Sequence, residues 1–393
     1  MFLLPHPISS RTKMSARAVS LAYKVHTPPK PTVGASSNIY VAHGLLGNAM
    51  NWATPSRHIC GHPMISKKLN KLYAVDMRNH GASPHNPNHS CAALASDLES
   101  FVLNGQHTLK RELSGVTEAA VDTGSIAIGH SMGGLALMGL LLRRYNEDQL
   151  LPSRSGTFGK WKEERRRECA ESMRSVNEQF NFPETQPIRD ILFSDSGAVP
   201  YEGVNDMTSR IPKWGRIRAA VIVDVTPVIE LGTQHSDEKA DTVYGTLYSM
   251  TNVDLSRIHS YDDVKEELLR VGMKSAAMRD FVTTNIVFNT PKVASWRCNL
   301  DILFQQYGAF KPSIVDWFMA QDQGGATPKV CTLPVLFVFG EKSPYQEEAK
   351  RKLIPRFFPN SRQVVVPGAG HFVHYEKTAE FVEKVVPFMS AHM

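Results

Sequence analysis

Seven short apolar runs, each closed by a turn of small or polar residues, constrain this chain more than any other feature of its sequence. They span residues 19–25, 39–42, 72–75, 126–128, 219–223, 335–339 and 363–366. Runs this brief and this apolar read as strands buried on both faces. Strands that alternate with helices assemble into a mainly parallel sheet with helices on either side. Helix-spaced Ala93, Leu94, Leu98 and Val102 follow the third run, and a helix continues through Leu142 after the fourth. The expected fold class is therefore α/β. In such sheets ligands sit beyond the carboxyl ends of the strands, so the residues just after each run are the ones to inspect.

Two segments break the rhythm. Residues 145–216 are polar and read as a surface insertion, with the charge run Lys160-Trp161-Lys162-Glu163-Glu164-Arg165-Arg166-Arg167-Glu168 as a solvated helix face. Residues 228–330 are mostly helical in pattern, with Val264, Leu268, Leu269, Val271 and Met273 at helical spacing. A helical excursion there, between two core strands, would cover the strand ends as a cap. The expected layout is a core from 18–227 and 331–393, interrupted by the insertion, with the cap at 228–330. Residues 1–17 form a separate leader.

Composition matters mainly through what it excludes. The chain has 393 residues, 42% of them hydrophobic and 21% charged, which is ample for a sizeable core. The net charge of +6 is concentrated at one end, because residues 1–75 hold nine Lys/Arg and no acid before Asp76. Removing those nine leaves 35 basic against 38 acidic residues, so the surface as a whole does not steer a polyanion, and no nucleic-acid partner is expected. Residues 1–17, with Arg11, Lys13, Arg17 and several serines, have the composition of a mitochondrial transit peptide. The alternative is a short tail, with Met14 as the start and a cytoplasmic protein. Five scattered cysteines without a C-x-x-C pair argue against a disulfide framework or a structural zinc site. No apolar run approaches the ~20 residues of a membrane-spanning helix.

Gly129-His130-Ser131-Met132-Gly133 is the strongest chemical signal. This G-x-S-x-G lies directly after a strand-type run and directly before a helix, where small flanking residues permit a tight turn that exposes one side chain. A serine so placed, at a helix N-terminus, is a candidate nucleophile. The base should lie on another strand end, and His371 follows the last run through Pro367-Gly368-Ala369-Gly370. His43 and His80 precede glycines in turns and are expected to shape them, and His374 is expected to pack. For the carboxylate that orients the base, Asp224 at the end of the fifth run is favoured by position, with Asp301 and Glu341 as alternatives. Asp76 is expected to pair with nearby Arg78. The backbone N–H groups of Met132 and Leu45 are the candidate oxyanion donors.

Several blocks occur in an order that carries a resemblance. Tyr40-Val41-Ala42-His43-Gly44-Leu45-Leu46-Gly47, Asp76-Met77-Arg78-Asn79-His80-Gly81-Ala82-Ser83, the serine motif, Val223-Asp224-Val225-Thr226-Pro227 and Gly370-His371 resemble the α/β-hydrolase superfamily. Within it, the second and fourth blocks, Trp296-Arg297-Cys298-Asn299-Leu300-Asp301 and the G-x-x-S-P-Y of Gly340 to Tyr345 are similar to the α/β-hydrolase domain protein 11 group. That group includes bacterial esterases and yeast mitochondrial ethanol acetyltransferases. The resemblance covers about residues 18–144 and 217–390. It implies an α/β-hydrolase fold with a helical cap. Most members carry the acid after the penultimate strand, where this chain has Ser343. In several members of the group it lies one strand earlier, at the position of Asp224, and in others at the position of Asp301. The insertion 145–216 is foreign to the family.

The resulting expectation is a serine hydrolase that cleaves carboxylic ester or thioester bonds through Ser131, His371 and Asp224. Leu45 and Met132 serve as oxyanion donors, and neither metal nor organic cofactor is required. The apolar cap implies a small-molecule ester or acyl substrate with a hydrophobic portion, of the kind met in lipid metabolism. The same acyl-enzyme could pass its acyl group to an alcohol, and a binding protein that has lost the chemistry is the competing class.

Overall fold

The computed structural model describes residues 18–32, 35, 37–102, 124–144, 217–227, 243–289, 293–307 and 330–393. The leader 1–17, the insertion 145–216 with its charge run, and parts of 228–330 lie outside the described residues.

The strands in chain order are β1 (Tyr23–His26), β2 (Ser37–Ala42), β3 (Leu69–Val75), β4 (Ser125–His130), β5 (Ile217–Val223), β6 (Ile286–Asn289), β7 (Val293–Trp296), β8 (Val335–Gly340) and β9 (Ser361–Val366). Seven of them form one sheet in the order β1-β3-β2-β4-β5-β8-β9. Only β1 runs antiparallel to its neighbour; every other pairing is parallel. The carboxyl ends of β2, β4, β5, β8 and β9 therefore share one edge of the sheet, and the segments leaving them meet there.

Side chains that alternate along these strands feed two separate cores. On β2, Tyr40 and Ala42 face one cluster while Ile39 and Val41 face the other. On β8, Phe337 and Phe339 oppose Leu336 and Val338 in the same way. The helices Cys91–Val102 and Met132–Arg144 cover the first face. The helices Ala53–Gly61 and Thr378–His392 cover the second. Full burial of one such side chain contributes roughly 1.5–3 kcal/mol. A one-residue slip would exchange every pair of these side chains, so the register is strongly specified.

Between β5 and β8 the chain makes its excursion, with helices Val243–Thr251, Tyr261–Arg270, Ala276–Thr283 and Leu300–Gln305. Ser260 starts the second of these through a reciprocal capping box with Asp263. The excursion also holds the antiparallel hairpin β6–β7, which the helical pattern of the sequence did not announce. Its apolar residues, among them Leu247, Met250, Val264, Leu268 and Val282, form a third cluster that is joined by Leu46 from the core. Among the described residues no helix is long and apolar enough to cross a membrane.

Two local expectations need correction. Residues 19–22 do not belong to β1, because side chains take their backbone donors: Val19 N–H donates to Asp97 Oδ1 at 2.8 Å and Ala22 N–H to Ser83 Oγ at 2.8 Å. The Asp76–Arg78 ion pair does not form either. Asp76 instead accepts the N–H groups of Ala49 (2.6 Å) and Ala82 (2.9 Å). The fully buried Arg78 makes a two-pronged contact with Asp97, at 2.5 and 2.7 Å. Asp97 lies on the helix Cys91–Val102, where no local spacing rule could have announced it. Cys60, Cys91, Cys298 and Cys331 are buried and outside any disulfide, and burial pushes the first three up to about 12.

Removing one partner of a buried ion pair leaves the other charge uncompensated, which costs about 3–5 kcal/mol. Asp97→Ala should therefore lower the unfolding free energy by that amount in urea titrations. A loss below ~1 kcal/mol would mean that water solvates Arg78.

Candidate active site

The residues leaving the shared strand edge converge on Ser131. It follows β4 directly, with φ of +49°, in the left-handed region that is strained for a residue with a side chain. Its N–H donates to Val223 O at 2.9 Å, and its own carbonyl accepts Leu135 N–H at 3.0 Å to open the helix Met132–Arg144. Strand, turn and helix are thus joined at one half-buried serine. The close approach needs glycine on both sides. A Cβ on Gly129 would lie 2.6 Å from Gly133 O, and one on Gly133 would lie 2.5 Å from Ala42 O. Met132, the first residue of the helix, presents an N–H that has no intrahelical acceptor by position.

The turn after β2 lies against this serine, since a Cβ on Gly44 would come within 3.1 Å of Ser131 Cβ. Gly47 N–H donates to Gly44 O at 2.9 Å, closing a reverse turn over Leu45 and Leu46. The His43 Nδ1–H donates to the same carbonyl at 2.7 Å. A trans peptide carries its N–H opposite its carbonyl, so the Leu45 N–H points away from both of these donors. His43 Nε2 accepts Met77 N–H (2.9 Å), and His80 Nε2 accepts Leu46 N–H (3.1 Å) while its Nδ1–H donates to Arg78 O (2.9 Å). Both rings must be neutral to play these parts. Burial lowers His43 to about 4; burial, aided by neighbouring His43, lowers His80 to about 3. Their expected turn-shaping role is what the structure displays.

Asp224 ends β5 with φ of +53° and no solvent exposure. Its Oδ1 accepts Gly340 N–H at 3.0 Å, and its Oδ2 accepts the Ser343 hydroxyl at 2.5 Å and the His371 Nδ1–H at 2.6 Å. In a neutral imidazole whose Nδ1–H goes to the carboxylate, Nε2 is the nitrogen that carries the lone pair. Ser343, in the loop after β8, thus joins the Asp224 carboxylate at the end of the neighbouring strand. The two alternatives lie elsewhere. Glu341 is exposed and accepts Gly368 N–H at 2.8 Å, and Asp301 is exposed in the first turn of the helix Leu300–Gln305.

The His371 loop is held by a residue that sequence reasoning missed. Glu376 accepts Gly370 N–H at 2.7 Å and Phe372 N–H at 3.0 Å, clamping the backbone on both sides of the imidazole. A carboxylate five residues after the histidine, at the end of the short helix Val373–Glu376, was the available signal. His371 O in turn accepts the His130 Nε2–H at 3.0 Å, and the His130 and His371 rings lie 4.8 Å apart. His374 packs, as expected, stacking on Trp52 at 4.1 Å with 5° between the planes. Asp224 and His371 are therefore in direct contact, while Ser131 adjoins them through β4–β5 pairing and the His130 ring. Among the described residues no hydrogen bond joins the Ser131 hydroxyl to His371; such bonds are often long in unliganded sites. Among the described residues no cluster of His, Cys, Asp or Glu could hold a metal ion.

Comparison with known proteins agrees with this fold. The sequence profile described as the alpha/beta hydrolase family matches residues 39–384. The chain is 24% identical to the sn-1-specific diacylglycerol lipase ABHD11 of Mus musculus over 355 residues, 90% of this chain and 80% of that protein. It is 24% identical to esterase YbfF of Escherichia coli K12 over 345 residues, 87% of this chain and 89% of that protein. Among solved structures, one titled marine microorganism esterase superposes with a TM-score of 0.59 at 17% identity, covering 94% of this chain and all of that one.

The neutral imidazoles carry a pH signature. Burial lowers His43 to about 4, and His80 and His374 to about 3, each against an unfolded value of 6.5. Above 6.5 neither state binds the protons. Between 6.5 and about 4 the unfolded chain takes them up and the folded chain does not, so stability falls as pH falls. The slope reaches up to ~1.4 kcal/mol per pH unit for each imidazole. Urea titrations between pH 7 and 4.5 should show this loss, and His374→Phe, which keeps an aromatic ring on Trp52, should flatten it. A wild-type slope in that variant would contradict the assignment.

Proposed function

The chain belongs to the alpha/beta hydrolase family, and within it we propose that this protein is a serine hydrolase acting on carboxylic ester or thioester bonds. The observation that carries the reading is the 2.6 Å contact between His371 Nδ1 and the buried Asp224 carboxylate, which leaves Nε2 as the base beside a serine at a strained strand-to-helix turn. Esterase and lipase names among the similar proteins support it.

In the proposed reaction His371 Nε2 takes the Ser131 hydroxyl proton as Oγ bonds to the substrate carbonyl carbon. The Leu45 and Met132 N–H groups receive the oxyanion. As the carbonyl reforms, the leaving alcohol or thiol departs with the proton from His371. Water then gives a proton to His371 as its oxygen bonds to the acyl carbon, and the bond to Ser131 Oγ breaks as His371 returns that proton to Oγ, releasing the acid and the free enzyme. Asp224 keeps the imidazole in its tautomer and stabilises the imidazolium without taking the proton. These steps use side chains and backbone donors alone. The excursion between β5 and β8 acts in this reading as the cap. Its Phe281 ring lies 4.6 Å from that of Phe372, next to the base, which favours a substrate with an apolar portion.

Labelling with a fluorophosphonate and turnover of p-nitrophenyl esters of increasing chain length, with and without ethanol, test the proposal. Ser131→Ala should abolish labelling, and Ser131→Ala and His371→Ala should each lower turnover by ~10⁴ or more. Asp224→Asn should lower it by up to ~10⁴, whereas Asp301→Asn and Glu341→Gln should stay within a few-fold of wild type. Wild-type rates from folded Ser131→Ala would end the reading. A severe loss confined to Asp301→Asn would move the acid to the cap.

A further inference from the structure

We infer that Asn285, a buried residue of the excursion, is a positioning residue for the oxyanion turn, so that the cap completes the site electrostatically as well as covering it. The inference rests on the serine-hydrolase reading with Leu45 as a donor.

The argument starts from Leu46. It occupies the third position of the turn closed by Gly47 N–H on Gly44 O, with φ of +60°. That position with positive φ is ordinarily glycine, because a Cβ there crowds the neighbouring carbonyl oxygen. A leucine stays only if its surroundings hold it. Left free, it would relax to negative φ by rotating the peptides on either side. The Gly47 N–H, part of the second of these, would then leave Gly44 O and loosen the Gly44–Leu45 peptide, which carries the Leu45 N–H.

Each of the three peptides in the turn has its own clamp. The Gly44–Leu45 peptide is held at Gly44 O by His43 Nδ1–H and Gly47 N–H. The Leu45–Leu46 peptide is held at Leu46 N–H by His80 Nε2. The Leu46–Gly47 peptide is held at Leu46 O, which accepts Asn285 Nδ2–H at 2.7 Å. The first two clamps come from the core, and the third comes from a residue 239 positions away in sequence.

Asn285 is itself rigidly placed. It has no solvent exposure and sits between the helix Ala276–Thr283 and β6. Its N–H donates to Val282 O at 2.9 Å, and its carbonyl accepts Arg297 N–H at 2.6 Å. A flipped amide would set two oxygens against each other at Leu46, so the donor orientation is dictated by the carbonyl it meets. Leu46 is also the core residue that joins the hydrophobic cluster of the excursion, a second grip from the same side. A cap that shifted would release both grips together.

The test uses the full chain and two substitutions, Asn285→Ala and the near-isosteric Asn285→Asp, which replaces the donor by an acceptor. Active sites are counted by fluorophosphonate labelling to completion, so that misfolded protein does not enter the rates. Each variant should lose roughly tenfold to a hundredfold in kcat, with KM within about threefold. Affinity for a trifluoromethyl ketone, whose adduct carries an oxyanion, should fall by the same factor as kcat. Asn299→Ala, which breaks a different tie from excursion to core (Asn299 Nδ2 to Asn79 Oδ1, 3.3 Å), should leave kcat per labelled site unchanged. A wild type that is labelled and active, with Asn285 variants equal to it per labelled site, overturns the inference alone. So does a fall in kcat without a matching fall in trifluoromethyl ketone affinity. A wild type that neither labels at Ser131 nor hydrolyses esters removes the hydrolase reading, and the inference falls with it.

Discussion

A carboxylate with no contact to solvent must find donors inside the protein, and Asp224 finds three of them on the two segments that leave β8 and β9. Gly340 N–H ends β8, Ser343 lies in the loop beyond it, and His371 hangs from the loop after β9. Because the parallel strands β5, β8 and β9 end on one edge, a single anion can tie all three loops together. The left-handed conformation of Asp224 is what turns its side chain back across the strand ends instead of into one of the two cores. Loss of the anion would leave Ser343 and the His371 loop without their common anchor.

How much of this was legible in the sequence depends on the range of the interaction. The central strands were legible, because two-sided burial writes apolar runs of recognisable length. The serine turn was legible, because the two glycines that close approach requires, Gly129 and Gly133, flank the serine within five residues. Long-range pairing was not. Arg78 chose Asp97 over the nearer Asp76, and the three candidate acids could be ranked only by strand position until Asp224 was seen against His371. The hairpin β6–β7 was hidden by its setting, since two four-residue strands between helices have too few positions to display a period of two. Glu376 was missed for a different reason: its partners are backbone N–H groups, so only its spacing from His371 could have pointed to it.

The histidines divide the same way. Seen as residue types, fifteen of them offered a surplus of candidate bases. Seen in place, His43 and His80 are neutral connectors whose two ring nitrogens are both occupied, whereas the His371 Nδ1 is committed to a carboxylate and its Nε2 is not. Burial separates the two classes. The connectors are almost wholly enclosed, and the His371 side chain keeps 28% of its surface open.

The buried thiols have a practical consequence. Burial pushes Cys60, Cys91 and Cys298 up to about 12, which disfavours the reactive thiolate, and each is walled in by its core. Alkylating reagents can reach these sulfurs only when the surrounding structure opens. The three thiols therefore act as a stopwatch with separate hands: Cys60 lies in the cluster beneath one face of the sheet, Cys91 in the cluster beneath the other, and Cys298 in the cluster of the excursion. The order in which they become labelled under native conditions would reveal whether the excursion breathes independently of the sheet that carries the serine.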